Sequence, residues 1–170
     1  MICKETAEFY SVWKKERQFR ITGSDPTYKL FTYRNNKKSD WEQKSLQYFY
    51  PTAISNCYTK YGLINKLITR ELYEKYINCK VVECGLVVAH NNSWLGSSPD
   101  GIVFDDLKPI KMIEIKCPYN GKKKTLEEVI PSLQYLVTVN NQLTLKKQHL
   151  YYAQIQIGMA LLNLPTQLIF

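Results

Sequence analysis

The chain has 170 residues, 45% of them hydrophobic, a formal net charge of +8 and a pI of about 9.2. That size and apolar content suit one domain, residues 1–170, with its own core, and they exclude a disordered tail. No apolar run approaches the roughly 20 residues of a membrane span, and the early charges Lys4 and Glu5 argue against a secretory leader, so the protein is expected inside the cell, in nucleus or cytoplasm, with a polyanion such as DNA as its partner.

Residues from about Lys4 to Arg20 space Phe9, Val12 and Phe19 among polar positions and predict a helix that carries Lys14, Lys15, Arg17 and Arg20 around Trp13. Thr22–Ser24 with Asp25-Pro26 end it. A short segment around Tyr28–Tyr33 follows, then a polar stretch with Arg34, Lys37 and Lys38 that runs to Asp40. A second helix is expected from near Trp41 until Pro51 interrupts it. Asn65 to Tyr76, with apolar Leu67, Ile68, Leu72 and Tyr73, suits an amphipathic helix. Strands are expected at Val81–Cys84 or Leu86–Ala89, and at Trp94–Leu95 after a turn at Asn91-Asn92.

Beyond residue 120, Lys122-Lys123-Lys124 form a basic run, and Thr125-Leu126-Glu127-Glu128 has capping-box spacing for a short helix that Pro131 stops. Leu136–Val139 and Leu143–Leu145 flank Asn140-Asn141 as a small hairpin. A last helix spans about Gln148 to Leu162 with an apolar stripe of Leu150, Ala153, Ile157 and Leu161, and Gln167–Phe170 begins a strand. The five cysteines, Cys3, Cys57, Cys79, Cys84 and Cys117, form no Cys-x-x-Cys pair and have only His90 and His149 for company, which argues for free thiols and against a zinc site.

The chemistry concentrates in Ser98-Pro99-Asp100-Gly101 and Glu114-Ile115-Lys116-Cys117-Pro118. Asp105-Asp106-Leu107-Lys108-Pro109 between them favours tight reversal. A fold-back near Leu107 sets Asp100 opposite the Glu114–Lys116 end of the returning strand. Residues two apart share a strand face, so Glu114 and Lys116 point together while Ile115 points into a core. Two carboxylates suit a hard divalent cation, Mg²⁺ or Mn²⁺. A lysine beside them orients water or balances phosphate charge. This is the equipment for metal-assisted phosphodiester hydrolysis, although either half alone also reads as an ordinary solvated turn or strand edge.

These segments, in their order, resemble the lambda-exonuclease or YqaJ-type viral recombinase branch of the PD-(D/E)xK nucleases. The likeness runs through Arg17-Gln18-Phe19-Arg20-Ile21-Thr22-Gly23-Ser24, Tyr61-Gly62 with the helix ending Arg70-Glu71-Leu72-Tyr73-Glu74, Trp94–Gly101, Glu114–Tyr119 and Tyr151-Tyr152-Ala153-Gln154-Ile155-Gln156. The resemblance implies an α/β (α+β) fold with a restriction-endonuclease-like core: a central mixed sheet flanked by helices. It also implies a chain truncated at its C-terminal end. By the same resemblance, Asp100, Glu114 and the carbonyl of Ile115 hold the metal and Lys116 helps activate water. Arg17, Ser24, Ser98 and Gln154 hold a terminal 5′-phosphate, a role that Arg forks and hydroxyls suit. The relatives suggest a homo-oligomeric ring and a single-strand annealing partner; no residue here argues for either.

One departure bears on the chemistry. The resemblance leads one to expect a metal-binding glutamate in a Gly-x-Glu-Asn-Glu-like run, where this chain has Gly62-Leu63-Ile64-Asn65-Lys66. Ile64 and Lys66 replace both acids, and a lysine there weakens cation binding. Glu71 and Glu74 lie further along the same helix, and neither is an obvious substitute, with Glu71 the one to test. Three readings follow: an exonuclease acting on 5′-phosphorylated duplex ends, a DNA-binding relic with impaired chemistry, or an endonuclease or junction resolvase of the same fold. An α/β interaction module is the residual reading.

Overall fold

The computed structural model describes residues 2–3, 5–24, 40–52 and 55–169; the expectations for Tyr28–Tyr33 and for Arg34, Lys37 and Lys38 lie outside them. The expected first helix is two: α1 (Glu5–Glu8) and α2 (Tyr10–Gln18), with Phe9 extended between them. The second expected helix is α3 (Asp40–Phe49). The third, α4 (Cys57–Ile77), starts two turns earlier than its apolar pattern suggests. Asn56 and Thr59 cap each other reciprocally there, a start signal independent of hydrophobic periodicity. Asn78 closes the helix in the left-handed conformation, φ 50°.

Both alternative strands form, as β2 (Lys80–Val82) and β3 (Leu86–Val88). Gly85, at φ +63°, turns the chain between them. β1 (Ile2–Cys3), β3 and β4 (Gly96–Ser97) make a small antiparallel sheet. The central sheet is mixed, in the order β2, β5 (Gly101–Asp105), β6 (Lys108–Ile115), β9 (Thr166–Ile169), with only β6 and β9 parallel. β7 (Leu136–Val139) and β8 (Gln142–Leu145) form the expected hairpin, with Asn140 and Asn141 both at positive φ, as a type I′ turn requires. α5 (Leu126–Val129) carries the predicted capping box.

The central hairpin turns at Asp106-Leu107, where Asp106 has φ 51°. Its register pairs Gly101 with Ile113, which sets Asp100 at the Glu114 end. A bulge between Val103 and Phe104 accommodates Pro109, since proline donates no ladder hydrogen bond. Apolar residues cover both sheet faces. Tyr73 of α4 packs with Val81, Val103, Ile113 and Ile115. On the other face, Cys84, Val87 and Ile102 meet Leu161 and Leu162 of α6 (Leu150–Leu162). Burial lifts the Cys84 thiol to about 11.

Two helices turn differently from their sequence patterns. The buried line of α6 runs through Ile155 and Gly158, not along Leu150, Ala153 and Ile157. On α4, Leu63, Ile64, Leu67, Ile68 and Leu72 are exposed, while Lys66, Thr69, Arg70 and Tyr73 face inward. Polar partners explain that choice: Arg70 donates to the Asp100 carbonyl (3.1 Å) and pairs with Glu83 (2.6 Å), and the Tyr73 hydroxyl donates to Gln167 (2.6 Å). These polar contacts tie the inward face of the helix to the sheet edge and to the loop before β5. No helix among the described residues is long and apolar enough to cross a membrane.

Candidate active site

Asp100 ends the loop before β5, and its backbone N–H bonds the Ile113 carbonyl (3.2 Å). One carboxylate oxygen, Oδ2, accepts the Ile115 N–H (2.8 Å). The other, Oδ1, accepts Lys66 Nζ at 2.7 Å. Fourteen residues further on, Glu114 shares one face of β6 with the Lys116 that follows the strand, as period-two alternation requires. Glu114 is only 1% exposed, because α6 covers this face. Its Oε1 accepts both Lys116 Nζ (2.8 Å) and Gln154 Nε2 (2.7 Å). Lys116 also donates to Gln154 Oε1 (3.1 Å) and rests on the face of Tyr151, 4.0 Å from its centroid. Ile115 is fully buried on the other face.

Burial pushes the Glu114 carboxyl up, and Asp100 pushes it further, while Lys116 and Lys66 pull it back. Burial pulls the Lys66 ammonium down, yet Asp100 and Glu114 together outweigh it, and its pKa ends above the ordinary lysine value. Two acids and two lysines therefore balance one another. Converging carboxylates beside a carbonyl are hard oxygen donors suited to one divalent ion, but Lys66 competes for Asp100 Oδ1. Among the described residues no group of three or more His, Cys, Asp or Glu gathers to hold a metal. Glu71 does not substitute: it is exposed and, five residues after Lys66, sits about 140° round the helix.

The expected phosphate ligands divide. Arg17 and Ser24 line a cavity of about 620 Å³ between α2 and α3, together with Lys14, Arg20 and Tyr48. Arg17 stacks over Trp13 (4.5 Å), and burial lowers its pKa. Ser98 lies against α2, its Oγ accepting the Trp13 indole N–H (2.9 Å). Gln154 spends both ends of its amide on Glu114 and Lys116. The segment carrying Ser24 is held against the sheet and α6: Ile21 bridges Leu95, and an added Cβ on Gly23 would lie 2.6 Å from the Gln154 Cα. Lys122, Lys123 and Lys124 are exposed after the 3-10 turn Tyr119–Gly121.

Several contributors were not singled out from the sequence: Trp13 as the donor to Ser98, Arg70 as the clamp on Asp100, and Tyr151 beneath Lys116. Helical spacing offered a signal for two of them, since Arg70 lies one turn after Lys66 and Tyr151 one turn before Gln154. His149 caps α6, its Nδ1 accepting the Tyr151 N–H (3.2 Å). That cap needs a neutral imidazole, and burial, then Lys116 and Lys146, depress the His149 pKa. A depressed folded-state value means full stability above the unfolded value of about 6.5 and loss as pH falls below it. His149→Asn is expected to keep the cap and remove this acid sensitivity, whereas His149→Ala costs about 1 kcal/mol at neutral pH; melting curves at pH 5 and 8 read both.

A family model described as "YqaJ-like viral recombinase domain" matches residues 12–164. Among solved structures, the chain is similar to an alkaline exonuclease (LHK-Exo) from Laribacter hongkongensis at 21% identity and a TM-score of 0.60, covering 91% of this chain and 69% of that one. It is similar to LHK-Exo in complex with dAMP at 25% identity and a TM-score of 0.61, covering 90% and 69%. No curated protein sequence matches it.

Proposed function

We propose, from the premise that this chain belongs to the YqaJ-like viral recombinase domain family, that it is a divalent-metal-dependent exonuclease acting on 5′-phosphorylated ends of duplex DNA. The observation that carries this reading is that Asp100 is bonded to the Ile115 N–H, next in the chain to Glu114, which pairs with Lys116 and feels the Asp100 charge at the same end of the central hairpin. The dAMP held by LHK-Exo supports a nucleotide as the ligand class.

When bound, a hard divalent ion supplies Lewis-acid polarisation of the scissile phosphate; Asp100, Glu114 and the Ile115 carbonyl are the oxygens that would hold it. Lys116, fixed by Glu114, Gln154 and the Tyr151 ring, orients the attacking water and offsets charge that develops on the phosphate. Arg17 and Ser24, in the cavity beside α2, hold the terminal phosphate, the guanidinium forking onto two oxygens. The net charge of +8 draws the duplex in and makes binding weaken with salt.

Linear duplex with a 5′-phosphate should shorten in Mg²⁺ or Mn²⁺ and persist in chelator, while covalently closed circles stay intact; cutting of circles would transfer the assignment to an endonuclease. Arg17→Ala is expected to erase the preference for a 5′-phosphate over a 5′-hydroxyl end, with a loss of about 1.5–3 kcal/mol, the range for hydrogen bonds to charged groups. The Lys66–Asp100 contact favours a second reading, a domain that binds DNA without cutting it. Salt-sensitive binding with no cleavage in either metal would select that reading.

A further inference from the structure

We propose that Lys66 is a tethered cation of the cleavage site: its ammonium fills one cation position beside Asp100, so the site takes a single divalent ion at most and grips a DNA phosphate without one. This rests on the reading that the site receives DNA. Asp100 commits Oδ2 to the Ile115 N–H, which leaves Oδ1 as the oxygen turned toward a cation, and Lys66 Nζ lies 2.7 Å from it. The position of that ammonium is enforced. Arg70, one turn along the same helix, holds the Asp100 carbonyl and Glu83, and Tyr73, one turn further inward, holds Gln167. The helix is thereby fixed to the loop that carries Asp100.

Charge explains what the lysine does there. A carboxylate that recruits a divalent ion amounts to one net positive charge; an ammonium at the same point amounts to the same charge with nothing to recruit. With Asp100 and Glu114 against Lys66 and Lys116, the site is neutral before any ion enters. A phosphodiester then meets two fixed ammonium groups across two hydrogen-bonded acids. The Lys66 side chain is part-exposed, at 32%, and Asp100 is the one hydrogen-bond partner its ammonium has among the described residues. An ammonium is a compact point charge with three donors, and one of them on Asp100 leaves two.

The test measures binding apart from turnover. Anisotropy of a 5′-phosphorylated duplex is recorded in EDTA and in Mg²⁺ for the wild type, Lys66→Gln and Lys66→Glu, with calorimetric titration of Mn²⁺ into each protein alone. The wild type should bind DNA about equally in both buffers and take up one Mn²⁺ at most. Both variants should bind at least about tenfold more weakly in EDTA; Lys66→Glu alone should recover with metal and show an additional Mn²⁺. Melting curves identify any variant that fails to fold, and Lys66→Gln, the smaller electrostatic change, then decides. Wild-type affinity in EDTA for a folded Lys66→Gln, or two Mn²⁺ on the wild type, overturns the inference and leaves the exonuclease reading standing. A wild type that binds no DNA in either buffer overturns both.

Discussion

Lys116→Ala is expected to lower the single-turnover rate on linear duplex DNA by about 10²- to 10⁴-fold, the span attributed to a positioned proton-transfer or water-orienting group. The same change should destabilise the fold. Lys116 is the charged one of two donors on Glu114 Oε1 within a buried site, and removing one partner of a buried pair costs about 3 kcal/mol. Combining it with Glu114→Gln should recover much of that stability and none of the activity, because the second change removes the stranded charge without restoring the ammonium. The pH dependence has a definite sign. Glu114 already holds its proton more tightly in the folded chain, chiefly through burial, and losing Lys116 strengthens that. The defect should be largest at alkaline pH and shrink as pH falls toward the unfolded carboxyl range. Urea titrations at pH 5 and pH 8 check the sign, and an equal loss at both would show that Lys116 supports the fold by packing alone.

Gly23→Ala should disrupt the packing that joins the phosphate-binding segment to the catalytic helix. Its Cβ would lie 2.6 Å from the Cα and 2.8 Å from the carbonyl oxygen of Gln154. Both are helix backbone, so relief requires α6 or the Thr22–Ser24 segment to move. Overpacking of this kind costs about 1–3 kcal/mol. The displacement has a functional direction, because it separates Ser24 and Arg17 on one side from Gln154, Glu114 and Lys116 on the other. Loss of 5′-phosphate preference is expected along with the loss of stability. Gly62→Ala is the control: nothing lies within 4 Å of its added Cβ, and it sits inside α4. It should stabilise by about 0.5–1 kcal/mol through helix propensity. Denaturation midpoints of the two variants should therefore move in opposite directions.

The exposed apolar stripe of α4 shows where a local pattern misleads. Leu67, Ile68 and Leu72 repeat at helical spacing and read as a core face, yet the helix turns its polar side to the sheet. Periodicity reports that a helix has two unlike faces; which one faces inward depends on what waits there. Here the partners are the Asp100 carboxylate and carbonyl, Glu83 and Gln167, none of them within ten residues of its donor. Ser98 makes a similar point: a hydroxyl beside Pro99 suits a phosphate ligand or a turn, and its contact with Trp13, 85 residues away, is visible only in the fold, while its own O–H remains a donor.

By itself the sequence determined the local facts: the hairpin reversal at Asp106-Leu107, the same-face placement of Glu114 and Lys116, the Asn140-Asn141 turn, the Thr125 capping box and the family. Each follows from backbone sterics, strand alternation or capping chemistry over a few residues. Tertiary structure alone decided that Glu114 lies buried beneath α6, that Gln154 serves Glu114 and Lys116 rather than the cavity, and that Lys66 sits on Asp100. Those outcomes depend on which distant side chains meet as the layers close. Burial and charge, which set the chemistry of the site, arise only at that closure.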